Sequence, residues 1–476
     1  MYEDIVLYAL KVAEDLGASY AEVRYHRIDG FGIASRNGSI IAAGTEVNDG
    51  IGIRVLVNGA LGFSSTNVLD RESIRRAVED AYRAAYTHSR FMKKPIEFAP
   101  AKVGRASYSI IERESFDSMD IDQKTSMHRE LWDRVSKSNT EAKVKIFTLN
   151  YTEFVEEKVI LNTDGAYIRS RIPRLSVFYN IVVSHPQKGS IQRFEQLGGS
   201  GGLEQLKQWN VEDTVVEEAK VLEKILTSAI EPPREEIPVI VGSEIVALIV
   251  HESCGHPSEA DRILGREAAQ AGKSFIKPGM IGERIGNKHA SVIDDPTIPN
   301  SYGFYLYDDE GVSARPRYLY REGIINEFLH NRATAQVFNV NSNAAARAMN
   351  YGSEPIVRMA NTYLKPGDYS FDELLDDVKL GVYMKSFMEW NIDDERWSQR
   401  YVGLEAYLIE NGEITKFVRN PVLEVTTRAF YSLIDAVGKN LRFYAGTCGK
   451  GEPMQGVPVW FGGPDVRLSK IRLGVA

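Results

Sequence analysis

Cysteine is nearly absent from this chain: there are two in 476 residues, Cys254 and Cys448. Two thiols cannot make the disulfide framework of a small secreted domain. No apolar run approaches the roughly 18–20 residues that a membrane-spanning helix needs. The start, Met1-Tyr2-Glu3-Asp4, is acidic and the apolar stretch behind it is short, so no secretory signal is expected. Positive charge is not in excess: 57 Lys and Arg stand against 65 Asp and Glu, a net charge of −8. That balance argues against a nucleic-acid partner, which favours basic surfaces. No repeat of fixed period appears, so a solenoid or propeller is not expected. The remaining composition, 43% hydrophobic and 26% charged, is that of a globular protein. Its length calls for two or more domains.

The pattern reads as α+β. A first helix is expected over Glu3–Leu16, with Val6, Ala9, Leu10 and Ala13 on one face and Gly17 as its stop. Strand-like runs follow at Ala21–His26, Gly32–Arg36, Gly50–Val57 and Ala60–Ser64, with the glycines at 30, 32, 50 and 52 read as strand ends. Asn58-Gly59 has the chemistry of a type I′ hairpin turn. Asp70 reads as the cap of a helix whose stripe is Ile74, Ala77, Val78, Ala81, Tyr82 and Ala85. Further on lie a polar helix near Asp122–Lys137, strands at Lys143–Tyr151, Glu156–Asn162 and Leu175–Ser184, and a helix near Thr214–Ala229. Glu231-Pro232-Pro233-Arg234-Glu235-Glu236 is the best linker. It divides an N-terminal helix and antiparallel-sheet domain, 1–230, from a mostly β C-terminal domain, 237–476. Past it, Val239–Val241 reads as a strand and Ser243 as the cap of an apolar, buried helix. Asn411-Gly412 marks a late hairpin.

That buried helix ends in His251-Glu252-Ser253-Cys254-Gly255-His256. Two imidazoles and an adjacent carboxylate are the raw material of a metal-activated water and its general base. The histidines are five residues apart, not the four that place both on one helix face. In a regular helix five steps of about 100° leave the second ring roughly 140° from the first. Either a π-bulge widens the helix or the helix ends and the chain turns under His256. Gly255 removes a Cβ obstacle, and Pro257 is expected to keep His256 out of the helical region. A catalytic zinc site usually takes three protein ligands and leaves one position for water. The third could be Cys448, in the loop Gly446-Thr447-Cys448-Gly449-Lys450-Gly451, or an acid such as Glu259, or there is no metal and the histidines are core residues. Cys254 is expected to point into packing. Asp308-Asp309-Glu310 is read as a solvated acidic turn in preference to a second metal site.

One rival motif is present. Gly198-Gly199-Ser200-Gly201-Gly202 fits the G-x-S-x-G pattern of a serine nucleophile elbow. Four glycines around one serine read better as a flexible loop, so a Ser200 hydrolase is the weaker alternative.

Taken in order along the chain, these motifs resemble the TldD/PmbA family of metallopeptidases. The resemblance rests on His251-Glu252-(three residues)-His256, Asp294-Asp295-Pro296-Thr297-Ile298-Pro299, Asp308-Asp309-Glu310-Gly311, Arg358-Met359-Ala360-Asn361-Thr362-Tyr363, Glu405–Gly412 and Cys448-Gly449-Lys450, with Ala21–Tyr25 and Gly50–Val55 near the start. It implies zinc held by His251, His256 and Cys448, with Glu252 as base. It also implies a dimer enclosing a chamber in which an unfolded or short peptide lies as an extended strand. The partner would be an identical chain or a motif-free PmbA/TldE-like subunit. A non-catalytic accessory subunit with a structural zinc, closed by a fourth ligand such as Cys254, is the alternative. A zinc thiolate fits a reducing cytoplasm. The chain departs from the family between Gly381 and Glu405: where a glycine-rich segment is usual, it has Trp390-Asn391-Ile392-Asp393-Asp394-Glu395-Arg396-Trp397.

Overall fold

A computed structural model describes residues 2–269 and 271–476. The N-terminal half is a helix-backed sheet, antiparallel but for one short parallel edge strand. Helix α1 (Tyr2–Asp15) buries Val6, Ala9 and Ala13. Helix α2 (Arg71–Ser89) buries Ile74, Ala77, Val78, Ala81 and Ala85, and the Asp70 carboxylate caps it by accepting from Ser73 N at 2.8 Å. Both helices cover strands β1 (Tyr20–Arg36), β2 (Ser39–Val57) and β3 (Ala60–Thr66). Asn58 and Gly59 join β2 to β3 with φ of 49° and 76°, both left-handed as a type I′ turn demands. After β4 (Arg105–Ser109) and α3 (Ile121–Ser136) come β5 (Lys143–Asn162), β6 (Tyr167–His185) and β7 (Gly189–Ser200). The sheet order is β3-β2-β1-β5-β6-β4, with β7 also on β6. Helices α4 (Glu204–Trp209) and α5 (Val211–Ser228) follow, and α5 packs on β6 and β7 over a second core.

The strands are longer than the sequence pattern indicates. Two expected pieces, Ala21–His26 and Gly32–Arg36, are one strand, as are Lys143–Tyr151 and Glu156–Asn162. The glycines are therefore interior, not strand ends. At two of them the reason is close approach: a Cβ at Gly50 would lie 2.5 Å from the Tyr351 ring, and one at Gly52 would lie 2.5 Å from the Tyr351 carbonyl. Gly198–Gly202 is likewise no flexible loop. Ser200 closes β7, is fully buried and donates to the Ser301 carbonyl at 2.7 Å.

The second half is mostly β. Strand β8 (Glu236–Val241) lies inside a six-stranded sheet, between the strands Leu380–Met384 and Val466–Arg472. A second six-stranded sheet ends in the neighbours Asn361–Leu364, Gln455–Gly463 and Arg442–Lys450. Helix α6 (Ser243–Val250), with every residue buried, packs against this second sheet. Its cap differs from the expected one. Ser243 is the first helical residue and donates to the Gly463 carbonyl, while the Asp465 carboxylate accepts from Ser243 N at 2.9 Å. A distant acid thus performs the capping task. Among the described residues no helix is long and apolar enough to cross a membrane.

The acidic run 308–310 is also not where its composition suggests. Asp308, Asp309 and Glu310 are 2%, 2% and 0% exposed, which rules out a solvated turn. Glu310 accepts from Arg54 at 2.7 Å, and Asp309 from Lys158 at 2.9 Å. Arg54 also reaches Glu22 at 2.7 Å. Asp308 instead accepts from backbone N–H groups of Glu310, Val312 and Ala346, and the ion pairs of Asp309 and Glu310 tie the N-terminal sheet to the second half.

Candidate metal centre

Past α6 the helix widens. Residues His251–Gly255 form a π-turn, and His256 N donates to the His251 carbonyl five residues back. This extra residue per turn is what the histidine spacing requires. The turn is braced. Ser253 Oγ reaches the Ile249 carbonyl at 2.6 Å and Tyr431 OH at 2.9 Å, and Tyr320 OH donates to the Ser253 carbonyl at 3.1 Å. His256 itself has φ −59° and ψ −46°, contrary to the extended conformation expected before proline. It opens a short 3₁₀ turn, His256–Ser258, with Pro257 in its first positions, where the missing N–H costs nothing.

The two rings lie 4.9 Å apart, centre to centre, at 80°. Cys448 reaches them from the strand Arg442–Lys450, where it pairs with Val457. The Arg358 guanidinium donates to the Cys448 carbonyl and to the Gln455 carbonyl, tying that strand down. The Cys448 Sγ is 3.6 Å from His256 Nε2, and the ligating atoms of His251, His256 and Cys448 all lie within 4.8 Å of one another. Glu259 is not in this group. Its carboxylate sits behind His256, accepting from Nδ1 at 3.1 Å and from Arg262 Nε at 2.6 Å, with the Lys450 ammonium as an ion-pair partner at 3.3 Å. A carboxylate behind an imidazole fixes the ring's orientation and tautomer. Cys254 is fully buried in the apolar core and also stands outside the group.

The electrostatics suit a cation. Burial holds both His251 and His256 below the usual imidazole range, so each is neutral near pH 7. Burial raises the Cys448 thiol, but the hydrogen-bonding contact with His256 and the charge of Arg358 outweigh it and bring the thiol down to about 7. Burial likewise raises Glu259, and Lys450 and Arg262 reverse the effect, leaving it well below the carboxylate range. The buried His251 Nδ1 has no hydrogen-bond partner. Tetrahedral zinc with bonds of about 2.05 Å to nitrogen and 2.3 Å to sulfur separates those ligands by roughly 3.6 Å. The Sγ to Nε2 distance meets that requirement, and two neutral imidazoles with a readily ionised thiol are a zinc donor set.

Glu252 is 4% exposed and pairs with the Arg396 guanidinium. All four residues border one cavity of about 440 Å³, whose walls include Phe178, Phe194, Phe387, Trp390 and Phe461. A larger groove of about 920 Å³, between α3 and α4, holds none of them. Ser200 is outside the cavity lining, and its hydroxyl has a carbonyl partner instead of a base, which removes the serine-hydrolase reading. The composition of the motif did not point to Arg396 or Arg262. The one signal for Arg396 was the charged segment standing where the family has glycines.

Models of the PmbA/TldA metallopeptidase domains match in three successive pieces: domain 1 at residues 21–85, the central domain at 114–226 and the C-terminal domain at 234–475. A metalloprotease of Methanocaldococcus jannaschii is 31% identical over 450 residues, covering 94% of this chain and 95% of that one. A protein of Saccharolobus solfataricus named zinc metalloprotease TldD homolog is 27% identical and covers 98% of each. Among solved structures, TldE of Thermococcus kodakarensis has a TM-score of 0.74 at 16% identity over 99% of each chain, and a putative modulator of DNA gyrase from Thermotoga maritima has 0.76 at 20% over 100% of each. These two likenesses concern the fold. With the family models spanning nearly the whole chain, it belongs to the PmbA/TldD family of metallopeptidases.

Proposed function

We propose that the protein is a zinc-dependent peptidase, with His251, His256 and Cys448 holding the metal and Glu252 acting as general base. The observation that carries this reading is the convergence of two neutral imidazoles and a thiol, from elements almost 200 residues apart, beside a buried carboxylate and an open cavity. A zinc ion held there would supply Lewis acidity, activating a water and polarising the scissile carbonyl. Glu252 takes the proton from the attacking water and returns it to the departing amine. Glu259 holds His256 in register. The aromatic walls exclude bulk water and receive apolar side chains.

The substrate class follows from the strand that carries Cys448. Among the described residues Arg442–Lys450 is at the end of its sheet, paired only with Gln455–Gly463, and Tyr444–Gly449 line the cavity. An extended peptide can add to such an edge by main-chain hydrogen bonds. Unfolded or short peptides fit; a folded protein does not offer a free strand. We read the working form as a cytoplasmic dimer, of identical chains or with a PmbA/TldE-like subunit, and the 1–230 and 237–476 halves as its two domains.

The test is hydrolysis of an unstructured peptide by protein of known zinc content, with and without chelator. Activity should vanish with the zinc and return on reloading. Glu252→Gln should keep zinc and lose at least about 100-fold in kcat. Wild-type rates in zinc-loaded Glu252→Gln would end the assignment of Glu252 as base, and four protein ligands on the zinc, with no water, would favour a structural-zinc accessory subunit.

A further inference from the structure

The segment Trp390–Trp397 borders the cavity through Trp390 and Arg396, and the chemistry proposed above gives its charge no task. It comprises the end of the strand Phe387–Ile392 and the hairpin tip, residues 393–397, that joins it to Ser398–Gly403. The tip delivers Arg396, 7% exposed, onto the carboxylate of Glu252. Among the described residues this guanidinium is the hydrogen-bond partner of Glu252, made through Oε2. Arg396 Nη2 also donates to the Ala271 carbonyl at 3.1 Å. The same carbonyl accepts from Arg262 Nη1 at 2.7 Å, and Arg262 holds the Glu259 that backs His256. One main-chain oxygen thus ties together the supports of the base and of a ligand.

The tip is built to hold this position. Arg396 has φ of +68°, a left-handed conformation that costs a non-glycine residue about 1 kcal/mol or more. Strain of this kind persists where the surroundings over-determine it, and it clusters at functional sites. Here the Asp393 carboxylate accepts from Trp397 N and Ser398 N, both at 2.8 Å. Thr427 Oγ1 donates to the Arg396 carbonyl at 2.8 Å, and Phe275 N to the Glu395 carbonyl at 2.8 Å. The Trp397 and Phe275 rings meet at 5.1 Å. Five contacts on an eight-residue segment make a fixed support.

We propose that Arg396 is a positioning residue for Glu252: it locks one carboxylate oxygen and leaves the other free to receive a proton at the cavity. A buried carboxylate on a π-turn has few other restraints on its rotamer, and a misplacement of about 1 Å can cost on the order of 100-fold in rate. This inference rests on the peptidase reading. It extends that reading by giving the charged hairpin a role in the chemical step and not in substrate selection.

Arg396→Gly is the informative variant, because glycine tolerates the left-handed backbone and keeps the tip in place. Zinc-loaded Arg396→Gly should lose about 100-fold in kcat, with KM within about threefold and zinc content unchanged. Guanidinium ion at low millimolar concentration should restore kcat at least about tenfold, and Arg396→Lys should fall between the two. Unchanged kcat, a loss carried by KM, or a loss of zinc would each overturn the proposal. A second measurement does not need activity. The fall in melting temperature caused by Arg396→Gly should shrink in a Glu252→Gln background, where the charge pair is already gone. Equal falls in both backgrounds would show that the pair does not form in solution. A wild type that holds zinc, shows the coupling and cleaves no peptide would instead remove the peptidase reading, and the positioning role with it.

Discussion

Gly255→Ala tests how the histidines are brought together. Gly255 has φ −58° and ψ −64°, an ordinary right-handed conformation, so alanine meets no backbone objection. The obstacle is spatial: its Cβ would lie 1.9 Å from Met359 Sδ and 3.3 Å from Met359 Cγ and Cε. Ordinary contact begins near 3.5 Å, so about 1.6 Å must be found. Met359 cannot supply it by moving its backbone. Its carbonyl accepts from Arg347 Nη1 at 2.6 Å, and its neighbours bond outward, Arg358 N to Ala345 at 2.8 Å and Ala360 N to Asp294 at 2.9 Å. The side chain is 1% exposed, so it has little room to rotate. Overpacking of this kind costs about 1–3 kcal/mol, and part of it will appear as a shift of His256. We expect a melting temperature lower by roughly 2–10 °C and zinc affinity weaker by about 10–100-fold, as when an outer support of a metal ligand is lost. Competition with a chromophoric chelator reads the second quantity. Met359→Ala, costly by itself because it opens a cavity, should give back zinc affinity when combined with Gly255→Ala. Wild-type affinity and melting in Gly255→Ala, or strictly additive effects in the pair, would refute the reasoning.

Three further outcomes follow from the same structure. Arg54→Ala leaves Glu22 and Glu310 buried without their shared cation, a loss of about 3–5 kcal/mol, read as a lower urea midpoint. His26 and His330 are held down to about 4, chiefly by burial. Between pH 6.5 and 4 the unfolded chain therefore binds protons that the folded one refuses. Stability is complete above 6.5 and falls toward pH 4 by up to about 1.4 kcal/mol per pH unit for each histidine, and His330→Gln should flatten that slope in urea titrations. Ser200→Ala removes a buried hydrogen bond and should cost about 1 kcal/mol while leaving peptide hydrolysis at the wild-type rate.

Much of the fold is legible in the sequence, and what is not has a common cause. The periodic stripe of α2, the Asp70 cap and the Asn58-Gly59 turn are local chemistry, and they stand where the pattern places them. His251, His256 and Cys448, grouped by the family resemblance, have their ligating atoms within 4.8 Å of one another. The misread features each depend on a partner far along the chain. The capping acid of α6 is 222 residues from Ser243, and the cation on Glu310 is 256 residues away. The glycines of β2 are fitted to Tyr351. The Arg396 that meets Glu252 is 144 residues from it, in a segment that stands out in the sequence only as a departure from the family. A sequence displays the side chains; it does not display which of them share a volume.

The central claim is that two imidazoles and a late thiol share one zinc ion that keeps a place for solvent. X-ray absorption at the zinc edge on the loaded protein and on Cys448→Ser tests it most directly. The account predicts one sulfur at about 2.3 Å and two imidazole nitrogens with one further light atom at about 2.0 Å, the sulfur vanishing in the variant. Two sulfurs, no sulfur in the wild type, or a protein that takes up no zinc would contradict it.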